Sequence, residues 1–200
     1  MTTNTQAIKR EALRQAWDNF RKAKNASDAL VQANTAAQIE QAWQDFLMAA
    51  GTIFNKLNAG TRKSQRGCTW YSTVGTDRQK DELLQYLKVA RNSLEHGAVR
   101  IVKPHDASVR VDDGGVMFSG STDSNGHLSI GVHYRHGANS ELKIEPPCVE
   151  LIPVTDKGGQ TVPVPTMHFG KRILQPTPQD IAALAMPYLE RILRDAKTLL

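Results

Sequence analysis

At 200 residues, 40% of them apolar and 22% charged, the chain suits one large globular domain or two small ones, with three Trp and five Phe to fill a core. No apolar run reaches the length of a membrane span, and residues 1–15 hold no apolar signal segment. Cys68 and Cys148 form no Cys-x-x-Cys pair, so a cytoplasmic protein with no membrane span and two idle thiols is expected.

The first helix is predicted over residues 6–24, where Leu13, Ala16, Trp17, Phe20 and Ala23 repeat at i, i+3, i+4, i+7. Residues 25–34 read as a small-residue linker or a short helix. A second helix starts at Thr35-x-x-Gln38, a capping-box pattern, and carries Ile39, Ala42, Trp43, Phe46, Leu47, Ala50, Ile53, Phe54 and Leu57 on one stripe. Ala16-Trp17-x-x-Phe20 recurs as Ala42-Trp43-x-x-Phe46, as expected of two antiparallel helices that each bring an aromatic layer to a shared core. Residues 60–76 read as a loop. It holds Arg62, Lys63 and Arg66 beside Trp70 and Tyr71, a combination that can grip single-stranded RNA by charge and stacking. The competing expectation tucks both aromatics under the bundle. Thr76 or Asp77 is then the cap of the next helix.

That next helix is the most informative stretch. With Leu83 at zero and about 100° per residue, Leu87, Ala90 and Leu94 fall within about 40° of it and form the buried stripe. Asn92 and His96 lie on the opposite side, with Arg91 and Glu95 on the flank. His96 falls in the last turn, where the helix dipole favours imidazolium, and Gly97 is placed as the stop residue. A histidine poised near neutral pH beside a fixed cation suits proton transfer at a phosphate. The same residues also suit an ordinary i,i+4 ion pair followed by a C-cap, and spacing alone leaves both open.

Beyond Pro104 the period changes to alternation. Strands are predicted at 108–111 and 116–119 as a hairpin around Asp112-Asp113-Gly114-Gly115, then at 127–134, 141–145 and 149–154. Lys157-Gly158-Gly159 turns the chain into 161–169, where Pro163 and Pro165 demand an edge or irregular strand. His127, His133, His136 and His168 are expected as ordinary surface or edge histidines. His133-x-x-His136 is the nearest approach to a metal pattern, and no metal or other cofactor is assigned. Thr177-Pro178-Gln179-Asp180 starts a final helix with Ile181, Leu184, Ala185, Tyr188, Leu189, Ile192 and Ala196 inward. Pro187 should kink it or break it near Leu184. The sequence leaves open whether this helix joins the bundle or covers the strands. The fold expected is α+β, with residues 1–103 an antiparallel helical bundle, 104–174 an antiparallel β segment, and 175–200 the closing helix.

Formal net charge is +5, carried unevenly. Residues 1–100 hold 15 Lys and Arg against 9 Asp and Glu, and residues 101–200 hold 10 against 11, which fits a polyanionic partner for the helical half.

Ala90-Arg91-Asn92-Ser93-Leu94-Glu95-His96-Gly97, at the end of its helix, resembles the signature of the HEPN (higher eukaryotes and prokaryotes nucleotide-binding) superfamily: an Arg, then four to six residues of which the first is often Asn, then a His. Here the spacing is four. The likeness covers about residues 1–100, and the β segment has no counterpart in it. It implies a metal-independent endoribonuclease whose two motifs meet across a homodimer cleft. Arg91 would clamp the phosphate, His96 transfer the proton and Asn92 orient the group, while the RNA's own 2′-hydroxyl attacks. On that reading Arg62, Lys63, Arg66 and Lys88 are the candidate RNA contacts. The alternative is a non-catalytic dimerisation module whose β segment binds a ligand or partner. In a third reading the β segment covers and regulates the cleft.

Overall fold

The structure, a computed structural model, describes residues 3–96, 100–105, 108–112, 117–122, 128–133, 141–156 and 158–199. Within these, the side chains at 3–9, 96, 109–112, 117–119, 122, 128–133 and 141–145 are not described. It is α+β: four helices, a series of short antiparallel strand pairs, and a closing helix.

Helix α1 (Thr3–Gln32) continues without a break to Gln32, through most of the stretch read as a linker or a separate short helix. Ala23, Ala26 and Leu30 extend its buried stripe to the end, so the small residues serve close packing on α2 rather than a break. Helix α2 (Ala36–Thr61) starts at the expected cap, where the Gln38 N–H donates to Thr35 Oγ1 at 3.1 Å. The reciprocal bond falls one residue early, Gln38 Oε1 taking the Asn34 N–H at 2.8 Å. Trp43 and Phe46 stack at 5.8 Å between centroids and are fully buried, while Trp17 and Phe20 meet edge-on at 5.5 Å, partly buried.

The predicted loop at 60–76 is largely helix α3 (Gln65–Lys80), capped by Ser64, whose Oγ accepts the Gly67 N–H at 3.2 Å. Only Gly67 and Val74 of α3 are buried, so it carries no apolar stripe to announce itself. Its Ser, Thr and Gly content is poor for an isolated helix, and packing on α2, α4 and α5 sustains it. Helix α4 (Glu82–His96) is therefore capped not by Thr76 or Asp77 but by Asp81, whose Oδ1 accepts the Leu84 N–H at 3.0 Å.

The chain then runs out and back as nested antiparallel pairs. Strand β1 (Val102–His105) pairs with β6 (Cys148–Leu151), β2 (Ser108–Asp112) with β5 (Glu141–Glu145), and β3 (Met117–Thr122) with β4 (Leu128–His133). The expected 108–111/116–119 hairpin is thus replaced by the pairing of β2 with β5. Alternation marks a strand but not its partner, and β3 pairs with β4 instead. The base of this arm is anchored: Val102, Val149 and Leu151 are buried, and β1 and β6 lie on α2. Two small hairpins follow. Strand β7 (Val154–Thr155) pairs with β8 (Thr161–Val162), and β9 (Met167–His168) with β10 (Lys171–Arg172).

Helix α5 (Pro178–Leu199) joins the bundle, packing most extensively on α1. Its start is as expected: Thr177 Oγ1 accepts the Asp180 N–H at 3.1 Å and donates to Asp180 Oδ2 at 2.6 Å. Pro187 does not break it. Pro187 and Ala183 are both exposed, so the carbonyl that the proline leaves without a donor is open to water. Leu184, expected inward, is exposed, because the buried stripe runs instead through Ala182 and Leu193. Among the described residues no helix is long and apolar enough to cross a membrane.

Candidate functional site

Helix α4 lies at the centre of the molecule, against α2, α3, α5 and strands β7–β9. Its buried positions are Leu83, Leu84, Tyr86, Leu87, Val89 and Ala90, a wider face than the narrow stripe expected from an isolated bundle. Tyr86 donates its hydroxyl to the Ile152 carbonyl at 2.9 Å, and the Ser93 hydroxyl reaches the Thr155 carbonyl at 2.9 Å. Strand β7 thus covers part of the face that helical periodicity alone assigns to water. Asn92, placed opposite the core by periodicity, is accordingly half-buried rather than free.

Arg91 is drawn inward. Its side chain is 17% exposed and lies across Gly51 of α2; a Cβ at that glycine would stand 2.9 Å from Arg91 Cγ, Cδ and Nε. The guanidinium donates to Asn92 Oδ1 at 3.2 Å and forms an ion pair with Glu95 one turn on. Its Nε is buried without a partner. Glu95, whose part is open from sequence alone, therefore steadies Arg91. The result is a guanidinium fixed from three sides: a glycine floor, an amide and a carboxylate. His96 ends α4, one residue beyond Glu95; its side chain and Gly97 lie outside the described residues.

A second arginine stands near the first. Arg78, in the last turn of α3, sets its guanidinium carbon 4.0 Å from the Phe54 ring centroid. Gly51 and Phe54 are three apart on one face of α2, so Arg91 and Arg78 lie over adjacent positions of the same helix. Burial is the main cause that pulls the Arg78 guanidinium below its ordinary range, and the charge of Arg91 adds to it; the neighbouring Tyr71 and Tyr188 hydroxyls oppose it. Arg78 Nε, like that of Arg91, is buried with no partner. Sequence reasoning passed over Arg78, since a lone arginine in a segment read as polar carries no signal. It passed over Gly51 too, although a glycine inside an otherwise apolar helical stripe is itself a signal of close approach.

The other candidate RNA contacts lie apart from this pair. Arg62 and Lys63 occupy the turn between α2 and α3, and Arg66 the first turn of α3; all three are exposed. They sit ten residues or more beyond Gly51, about 15 Å along α2. Lys88 is exposed on α4 itself. Trp70 and Tyr71 are half-buried against the core, and Tyr71 donates its hydroxyl to the Phe54 carbonyl at 2.9 Å, as the tucked-under expectation has it. Burial pushes the Tyr71 phenol up.

The opposite end of α4 holds a pair that sequence reasoning did not foresee. His168, expected as an ordinary surface or edge histidine, is 12% exposed and bonds through Nδ1 to Asp81 Oδ1 at 2.9 Å. Asp81 Oδ2 accepts the Phe169 N–H at 2.7 Å. The neighbouring Glu82 Oε2 accepts the Thr166 N–H at 2.9 Å and the Met167 N–H at 3.1 Å. Two acids ahead of an apolar run announce a helix start, but not the hairpin 87 residues away that they hold. His127 and His136 lie outside the described residues, as does the His133 side chain. Among the described residues no three His, Cys, Asp or Glu side chains converge on a point that would hold a metal ion, and Cys68 and Cys148 are free thiols. No protein-family model, curated protein or solved structure matches the chain.

Proposed function

We propose that this chain is a HEPN-like, metal-independent endoribonuclease that acts as a homodimer. The observation that carries the reading is the seating of Arg91. It is half of the Arg-Asn-x-x-x-His element, and it is held on Gly51 by Asn92 and Glu95, five residues before His96 on the same helix. A guanidinium fixed before substrate arrives loses little freedom on binding phosphate, which is where preorganised charge contributes most. In the proposed reaction the 2′-oxygen of RNA attacks the adjacent phosphorus as its proton is removed. The P–O5′ bond breaks, and the leaving 5′-oxygen takes a proton. The products are a 2′,3′-cyclic phosphate and a 5′-hydroxyl. His96 is the proton carrier, Arg91 offsets the charge that grows on the phosphorane oxygens, and Asn92 orients Arg91. The second copy of the chain supplies the second histidine that an acid and a base acting together require.

The Glu95 ion pair favours a second reading, in which Arg91 is only a structural tie and the bundle is a non-catalytic dimerisation or binding module. One experiment separates the two. End-labelled single-stranded RNA is incubated with excess chelator and either wild type, His96→Ala or Arg91→Ala, and the ends of the products are typed. Chelator-resistant cleavage that leaves cyclic phosphate, lost in both variants, is the result expected. Equal products at equal rates from wild type and His96→Ala end the nuclease reading, as does a wild type that leaves RNA intact.

A further inference from the structure

The β9–β10 hairpin breaks a local rule of turn chemistry. Its two loop residues are Phe169, at φ 44°, and Gly170, at φ 77°. A two-residue hairpin loop with both residues in the left-handed region strongly prefers Asn-Gly or Asp-Gly, because a side chain without a short polar group is strained there. Among the described residues Phe169 is the sole non-glycine with positive φ. The strained residue is also a half-exposed aromatic, 48% open to solvent. Natural chains keep such costs at sites where something binds.

The surroundings say what would bind. Phe169 borders a cavity of about 360 Å³ between the hairpin and α5, within the range of small-ligand sites (about 300–1,000 Å³). Tyr188 lies 5.4 Å from the Phe169 ring at 30°, so the two form an inclined aromatic shelf. The Arg191 guanidinium stands 4.9 Å from the Tyr188 ring and 5.6 Å from the Phe169 ring. Asp77 steadies that shelf, accepting the Tyr188 hydroxyl at 3.1 Å and lying 3.6 Å from Arg191. Lys171 lines the same cavity, is exposed, and makes no ion pair among the described residues. His168 lines it as well. The Asp81 carboxylate can only accept from the imidazole, so Nδ1 is the donor to it and Nε2 is the ring nitrogen that Asp81 leaves unengaged. Asp81 accepts from three donors (His168, Leu84 and Phe169), which hold its carboxylate and the hairpin together. An aromatic shelf, two cations at its edge and one oriented hydrogen-bonding ring match a flat heterocycle that carries an anionic group.

We propose that the cavity between the β9–β10 hairpin and α5 binds a nucleotide, its base stacked on Phe169 and its phosphate met by Lys171 and Arg191. The nucleotide is either free or one unit of a single strand. The site shares no residue with the Arg91 site and does not depend on it.

The test uses the full chain and calorimetric titration with 5′-AMP and 5′-UMP, with adenosine and inorganic phosphate as partial ligands, and with a 2′-O-methyl pentanucleotide that cannot be cleaved through its 2′-oxygen. Phe169→Asn supplies the Asn-Gly turn that the backbone prefers, so its Tm should stay within about 3 °C of wild type. Its affinity should nonetheless fall at least about fivefold, as the loss of one stacked base predicts. Lys171→Gln with Arg191→Gln should bring the nucleotide down to the affinity of adenosine. Binding of the mononucleotides identifies a free-nucleotide site; binding of the pentanucleotide alone, still sensitive to Phe169→Asn, identifies a strand site. The proposal is overturned if inorganic phosphate binds as well as AMP, if no probe binds at millimolar concentration, or if Phe169→Asn binds as wild type does. It is equally overturned if Phe169→Asn melts far below wild type, since the ring would then be needed by the fold.

Discussion

Gly51→Ala offers the sharpest test of how Arg91 is positioned, because its effects on stability and on chemistry should part company. The new Cβ would stand 2.9 Å from three atoms of the Arg91 side chain, against an ordinary contact of 3.4–4 Å. The arginine must therefore retreat by roughly half an ångström to one ångström. It can do so, because the obstacle is a flexible side chain and not backbone. Alanine inside α2 gains about 0.5–1 kcal/mol over glycine. Weakening the Arg91–Glu95 pair, whose side chains are 17% and 29% exposed, loses about 0.3–0.5 kcal/mol. The two nearly cancel, so Tm should move by no more than about 2 °C. A displacement of this size in a phosphate clamp, by contrast, can lower cleavage by about 100-fold. The assays are thermal melting and single-turnover cleavage of labelled RNA. The Arg91 Nε–H signal in ¹⁵N spectra supplies a readout that needs no activity, and it should shift in the variant. Cleavage within about threefold of wild type, together with an unmoved Nε–H signal, would refute the glycine floor as the element that sets the guanidinium.

Arg78→Met keeps an aliphatic stem on Phe54 and removes a buried cation with an orphaned Nε, so urea denaturation should find stability unchanged or higher, while RNA affinity in a salt titration falls. Asp81→Ala removes the α4 cap and strands the donors of His168 and Phe169. Roughly 3 kcal/mol of stability should be lost, lowering Tm by about 6–12 °C, and Asp81→Asn should recover part of it. Burial raises the phenols of Tyr71, Tyr86 and Tyr188 above the ordinary value near 10, with the Asp77 carboxylate adding to the rise at Tyr188. A group whose folded pKa is raised stabilises the fold fully below its unfolded pKa, and that contribution fades as pH climbs toward the folded value. Tm should therefore be flat with respect to these groups from about pH 7 to 9 and fall above about pH 10, and Tyr86→Phe should shrink the fall between the two limits.

What could be read from the chain divides by the range of the interactions concerned. The caps at Thr35 and Thr177, the stripe of α2 and, apart from Leu184, that of α5 depend on residues within one or two turns and are legible from periodicity. The ion pair of Arg91 with Glu95 is likewise local. Helix α3 was missed because it buries only Gly67 and Val74 and is sustained by its neighbours rather than by its own pattern. The pairing of β2 with β5 was missed because an alternating strand fits any partner of like pattern. The seat of Arg91 on Gly51 spans 40 residues, and the grip of Asp81 on His168 spans 87; no local spacing encodes either. What one helix turn holds, such as Arg91 with Glu95, is legible in the chain, whereas what distant elements supply, such as Gly51 under Arg91 and Asp81 on His168, is not.

The two ends of α4 share a physical logic. Its fifteen residues separate them by about 20 Å, with a rigid, centrally packed rod between. Toward its C-terminal end the Arg91 Nε–H is buried with no acceptor, as is that of Arg78 on the neighbouring α3, and each costs about 1–3 kcal/mol when left unmade. At its N-terminal end the chain tolerates an aromatic residue in a backbone conformation made for asparagine or glycine, held there by the Phe169 N–H donating to Asp81. Selection for stability alone would remove the Arg78 orphan and the strained turn, since Arg78→Met and Phe169→Asn are single changes that relieve them. The unmet Nε–H of Arg91 and the strained turn at Phe169 are the physical reasons to look for ligands at both ends of one helix; a third buried donor without an acceptor, Trp43 Nε1, lies in the core on α2. Such sites also make the expectation unusual in its direction: the variants that most damage function should be among those that leave the fold as stable as before, or more so.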